Sequence, residues 1–152
     1  MLRKLMSLMA SLCLISLANP AFADGGYNKE SNSPLAPVEN MIEDEKYQDA
    51  IVELQRMLKE TPEDADILNL LAYSQRKSQR FDEAMANYQK ALGIEPEHRR
   101  ANEYLGELYL QLDQPDKAQE RLQVLDEACF FGCAEFDKLE EAIKVYRSQN
   151  SS

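Results

Sequence analysis

Residues 65–98 read ADILNLLAYSQRKSQRFDEAMANYQKALGIEPEH, and the chain on either side repeats their pattern at a step of 34 residues. Ala50, Ala84 and Ala118 follow that step, as do Tyr47, Phe81 and Pro115, then Leu54, Tyr88 and Leu122, then Met57, Ala91 and Leu125. Pro62 pairs with Pro96, Leu71 with Leu105, and Ala72 with Gly106. So many columns in register mark an array of like units rather than one irregular domain. Leu68, Leu71, Ala72 and Gln75 form a stripe at helical spacing over residues 64–77, and Phe81, Ala84, Tyr88, Ala91 and Leu92 form another over 81–94. Each unit is therefore a pair of short helices. Asp64, after Pro62, is placed to cap the first, and Pro96 punctuates the end of the second.

The next pair is expected at about 98–111 and 115–128, with Pro115 tolerable in a first helical turn. Gly106 and Ala72 lack bulk where one helix must approach its neighbour closely, and the alanine column meets the same need from the partner helix. With Leu71-Ala72, Phe81, Ala84, Tyr88, Ala91 and Pro96 in one unit, and Leu105-Gly106, Tyr109, Ala118 and Leu122 in the next, the sequence resembles the tetratricopeptide repeat (TPR) family. The resemblance implies an all-α, short TPR-type helix–turn–helix solenoid of about two and a half repeats. It covers residues 36–128, divided into a degenerate unit at 36–64 and repeats at 65–98 and 99–128. Gln75 departs from it, standing where the next repeat has the bulky Tyr109.

The outer parts follow from that frame. Pro34 and Pro37 cut the first helix of the degenerate unit to about 38–45, and Tyr47–Glu60 is its second helix. A C-terminal capping helix is expected at about 134–147, where Phe136, Leu139, Ile143 and Tyr146 make an apolar stripe. An uncapped repeat would leave such surface in water. Residues 129–147 thus hold a Cys-containing turn and the cap, and 148–152 should fray. Residues 24–35 are mostly small and polar, the composition of a flexible leader. Residues 1–23 read as a signal peptide: Arg3 and Lys4, an apolar run from Leu5 to Leu17, then Ala21-Phe22-Ala23 after Pro20. A run of about 13 residues rises about 20 Å, too short for a hydrocarbon core of about 30 Å. Cleavage near Ala23, no stable membrane insertion afterwards, and a periplasmic or secreted location are the expectation.

The 152 residues carry a net charge of −10 and a single His. That acidic balance argues against nucleic acid as partner, because phosphates would be repelled. No glycine-rich phosphate loop occurs, and acidic pairs such as Glu140-Glu141 read as solvated helix faces. No catalytic residue and no cofactor are expected. His98, beside Arg99 and Arg100 at a repeat junction, reads as a surface residue.

Cys13 leaves with the signal, so Cys129 and Cys133 remain, an even count that favours a disulfide outside the cytosol. Residues four apart in near-helical chain are within bridging reach. The bridge would fix the corner before the cap, with Phe130 and Phe131 packing beneath it. The alternative is a small redox or soft-metal (copper) handling protein using the same two residues. Against it, CxxxC lacks the spacing of thioredoxin-like motifs, and two ligands do not complete a zinc site.

Function in such an array lies on the face that packing does not consume. On the first helix of the middle repeat the stripe opposite the core includes Asn69, Leu70, Tyr73, Arg76 and Lys77; on the following repeat it includes Arg100, Glu103, Tyr104, Glu107 and Leu110. The resemblance implies that this face lines a concave groove for a peptide or partner protein, making the chain a non-catalytic interaction module or scaffold. Tyrosine is a frequent interface anchor, with large area and few torsions to freeze. Residues 39–66 balance at −7, 76–100 at +2 and 113–141 at −6. The basic island of Arg76, Lys77, Arg80, Arg99 and Arg100 suits a partner with an acidic segment.

Overall fold

The computed structural model describes residues 33–150; the expected signal peptide, most of the expected leader and the last two residues lie outside the described residues. Within them the chain forms α1 (Ala36–Glu43), α2 (Tyr47–Glu60), α3 (Ala65–Lys77), α4 (Phe81–Ile94), α5 (Arg99–Gln111), α6 (Pro115–Ala128) and α7 (Ala134–Asn150). Each helix packs on the next along the chain, and α3 also meets α5 while α5 meets α7. This is a stack of helical hairpins with α3, α5 and α7 side by side, the all-α solenoid that the repeat implies. No helix among the described residues is long and apolar enough to cross a membrane.

The repeat columns are the packing surfaces. Ala50, Ala84 and Ala118 are fully buried, one at the heart of each of three successive cores. Val38, Ile51, Leu54, Ile67 and Leu71 fill the first core. Leu68, Ala72, Tyr88, Leu105 and Leu108 fill the second, and Leu122, Leu125, Leu139 and Ile143 the third. Gln75, the odd member of its stripe, is also buried, and its amide is satisfied there. Asn87 Nδ2 donates to its Oε1 at 2.8 Å, and its Nε2 donates to Glu83 Oε2 at 3.3 Å. A buried amide with partners avoids the desolvation penalty of an orphaned one.

The junctions between hairpins show how helices start. Asp64 accepts from Ile67 N at 2.9 Å, and His98, one repeat later, accepts from Ala101 N through Nδ1 at 3.2 Å. The lone histidine is thus an N-cap, with Nδ1 the acceptor and Nε2 turned to Asp66 at 3.1 Å. In the third junction the same column holds Gly132, which has no side chain to cap with. Its φ of +84° turns the chain instead, in a region open to glycine. Cys129 and Cys133 come together across that turn with Cα atoms 5.6 Å apart, inside the disulfide range.

Three details differ from the sequence-based expectation. Helix α1 begins at Ala36 rather than 38, because Pro37 falls in the first turn, where its missing N–H is not needed. Helix α7 continues to Asn150, its last turn held by Ser148 Oγ donating to Val145 O and Asn150 Nδ2 donating to Tyr146 O. Phe130 and Phe131 do not pack beneath the cysteines; they are 87% and 96% exposed. Phe136 and Leu110, with Tyr109 and Cys133, are the partly buried side chains that pack against the third core, of which Cys129 is a member.

Candidate functional site

The sequence-derived face of α3 and α5 holds a connected set of aromatic and charged side chains. The Tyr73 and Tyr104 rings lie 4.7 Å apart, and Tyr47, the first residue of α2, extends the row with its ring 6.4 Å from Tyr73. Tyr73 is one turn before Arg76, and Arg76 lies against both tyrosines, its guanidinium carbon 5.4 Å from the Tyr73 centroid and 5.8 Å from that of Tyr104. Aromatic faces attract a cation placed this way. Arg76 Nη2 also pairs with Glu107 Oε2 at 2.7 Å, which joins α3 to α5. The arginine is buried, and a buried charge without a partner would cost several kcal/mol, roughly. Lys77 caps the row, its Nζ 5.7 Å from the Tyr47 centroid.

The same face is braced from both sides. Arg100 Nη1 lies 3.7 Å from Glu39 Oε1 of α1, and Lys138 Nζ of α7 lies 3.6 Å from Glu103 Oε1. Arg80, the outlying member of the basic island, pairs locally with Glu83 instead. Sequence periodicity missed Tyr47, Glu39 and Lys138. Tyr47 sits in the column of Phe81 and Pro115, which reads as packing, and the other two come from helices that no stripe ties to α5.

Not every residue of the stripe stays open. Leu70 is 7% exposed and packs with Val38, Ile51 and Ile67 in the first core, so it is a core residue and not a groove residue. Leu110 is half-buried against the third core beside Phe136. Asn69 is buried too, and its Oδ1 has no hydrogen-bond partner. The reason is geometric. A helix inside a stack has neighbours on both flanks, so half of its outward stripe turns toward α1 or α7. Tyr73, Tyr104 and Glu107 remain half-buried, while Lys77 and Arg100 are exposed.

Glu103 is the electrostatic outlier of the face. It is 2% exposed and its Oε2 has no hydrogen-bond partner. Burial raises its carboxyl from 4.5 to about 7; Lys138 opposes the rise, and the nearby acids Glu107 and Glu135 add to it. Burial likewise pushes the Tyr104 hydroxyl up to about 12, with Glu103 next to it reinforcing the shift. The raised Glu103 makes the native state hold a proton that the unfolded chain releases. Its stabilising contribution is full below pH 4.5 and is lost as pH rises through about 7. Urea unfolding across about pH 5 to 8 should show stability falling with pH. Glu103→Gln should flatten that fall. Glu53 and Glu83, held low by Arg56 and Arg80, act below the ordinary carboxylate range and leave this window undisturbed.

Among the described residues no cluster of three or more His, Cys, Asp or Glu has the arrangement to hold a metal ion. What the face offers is an aromatic row with a fixed arginine, a surface for non-covalent contact.

Residues 41–86 and 75–128 match the family model for the tetratricopeptide repeat. The chain belongs to the tetratricopeptide repeat family. No curated protein matches it. Among solved structures it is similar to PcrH in complex with the chaperone-binding region of PopD, with a TM-score of 0.66 and 16% identity over 75% of this chain and 88% of that one. The Yersinia enterocolitica type III secretion translocator chaperone SycD gives a TM-score of 0.66 and 16% identity, covering 77% of this chain and 83% of its own. A tetratricopeptide repeat protein from Parabacteroides merdae gives 0.63 and 22% identity, covering 80% of this TPR chain and 49% of the other. At these identities the likeness is one of fold. In TPR terms, α3–α4 and α5–α6 are the two full repeats, and α1–α2 a preceding hairpin with a shortened first helix. Helix α7 stands beside α5 where the first helix of a further repeat would stand.

Proposed function

We propose that this TPR protein is a non-catalytic interaction module that takes a peptide or a segment of a partner protein along the α3–α5 face. The observation that carries the reading is the row Tyr47–Tyr73–Tyr104, continuous across three helices and fixed at its centre by Arg76. Its rings are held in place before any partner arrives, which lowers the entropy cost of binding. The structural relative bound to a chaperone-binding region supports the same kind of use. Arg100 and Lys77, the exposed cations of the face, favour a partner segment with acidic residues. Arg76 is already committed to Glu107, so it orients the tyrosines rather than meeting the partner's charge.

The signal-like start supports a site of action outside the cytosol, in the periplasm or beyond, after cleavage near Ala23. In that setting Cys129 and Cys133 act as a structural disulfide that closes the junction Gly132 leaves uncapped. Crosslinking in the native envelope followed by mass spectrometry identifies the partner. Tyr73→Ala combined with Tyr104→Ala should then lower its capture at least tenfold while the helical circular dichroism stays unchanged. Each tyrosine is half-buried, so the fold should tolerate the loss. Capture at the wild-type level would refute the assignment of the face.

A further inference from the structure

The turn between α6 and α7 carries a second surface, separate from the α3–α5 face. At the two earlier junctions the equivalent columns hold Pro62-Glu63 and Pro96-Glu97, all exposed. At the third they hold Phe130 and Phe131. The repeat geometry therefore puts this pair where solvent is expected, and the rings stand 87% and 96% exposed, packed only edge-to-face on each other with centroids 5.0 Å apart. A proline and a glutamate serve the same turn elsewhere in the chain, so the fold does not require the aromatics. Each exposes on the order of 150–250 Å² of apolar surface to water. The cysteines draw the two ends of the turn together and Gly132 sets its bend, so the rings sit on a short, constrained knuckle.

Charge around the knuckle decides what can cover it. From Gln123 to Asp137 the chain has Asp126, Glu127, Glu135 and Asp137 and no Lys or Arg. None of the four is in an ion pair with a described residue. Asp126 and Glu127 lie in the last turn of α6, where the helix dipole disfavours acids. Those two acids of the collar are thus kept against local preference, whereas Glu135 and Asp137 suit the first turn of α7. Two copies meeting knuckle to knuckle would bring these collars together, and an anionic bilayer would be repelled by them. An apolar pocket rimmed by cations satisfies both parts of the surface.

We propose that Phe130 and Phe131 anchor this protein to a partner protein through an apolar pocket rimmed by Lys and Arg. Two adjacent aromatics with a polar surround have the composition of an interface hot spot. The test places p-benzoylphenylalanine at position 131 of the full-length protein in its native cells and maps photo-adducts by mass spectrometry, with the same probe at the exposed Val52 as background. The expected adduct lies in an apolar segment of one protein flanked by Lys or Arg. Its yield should fall tenfold or more with Asp126→Lys and Glu127→Lys, and likewise with Phe130→Ser. Circular dichroism should be unchanged in each, since all three side chains are exposed. Adducts no stronger than the Val52 background, adducts to lipid or to a second copy, or a yield insensitive to collar reversal would overturn the proposal. Tyr73→Ala with Tyr104→Ala should leave the adduct intact, which separates this surface from the α3–α5 face.

Discussion

Tyr88→Ala should remove about 3–5 kcal/mol of unfolding free energy, a large part of the roughly 5–15 kcal/mol that holds a domain of this size. Tyr88 is the largest fully buried side chain among the described residues, and it sits in the middle core with Leu68, Ala72, Ala84, Leu105 and Leu108. It joins the two full repeats, so its removal opens a cavity at their interface rather than at an end that could fray. Small neighbours in the alanine column cannot expand to fill the space. The hydroxyl contributes less than the ring: burial pushes it far above its ordinary value, the nearby Arg76 guanidinium opposes that rise, and it makes no hydrogen bond of good geometry. Tyr88→Phe should therefore stay within about 1 kcal/mol of wild type. Urea unfolding of the two variants separates ring from hydroxyl. A midpoint for Tyr88→Ala near that of Tyr88→Phe would show that the ring does not hold the repeats together.

Gly106→Leu should be nearly as damaging, and it should act on one helix. A Cβ at position 106 would meet Leu139 Cδ1 and Cδ2 at 2.6 Å, and Leu139 is fully buried with Leu122, Leu125 and Ile143 around it. A single methyl displaces the end of a flexible side chain and gains helix propensity of about 1 kcal/mol, so Gly106→Ala should be mild. A leucine has no such escape. Overpacking at the upper end of its usual range, about 3 kcal/mol, is expected. Because α7 packs on α5 and α6 at the end of the described array, the strain is relieved by its release. Hydrogen exchange should show α7 losing protection before the central helices. Leu139→Ala should restore part of the loss in the Gly106→Leu background, a coupling that a double-mutant cycle reads directly. Additive effects of the two changes would mean that the helices do not meet there.

The order of helices and the identity of most core residues are legible in the linear chain, since a helix buries a stripe and a repeat buries it again 34 residues later. The turns inside each hairpin are not legible in that way. Glu45, Gln79 and Asp113 all adopt left-handed backbone, with φ of +58°, +62° and +63°, and they too are one repeat apart. Behind them Lys46, Arg80 and Gln114 donate backbone N–H to Met41, Gln75 and Tyr109. Three different side chains occupy the strained position because the backbone hydrogen bonds, not the residue, hold the turn.

The candidate face divides along the same line. Tyr73, Arg76, Tyr104 and Glu107 are readable as one stripe because they share the period of α3 and α5. Their company is a tertiary matter: Tyr47 and Glu39 arrive from the first hairpin and Lys138 from α7, while Leu70 and Leu110 turn away into neighbouring cores. The aromatics at 130 and 131 divide likewise. Their apolar character suggests burial, yet the hairpin geometry gives those columns to solvent. Periodicity is a property of one helix and survives in one dimension, so the chain alone specifies the stack. Exposure depends on what stands beside each helix, and only the packed array decides which of its residues a partner can reach.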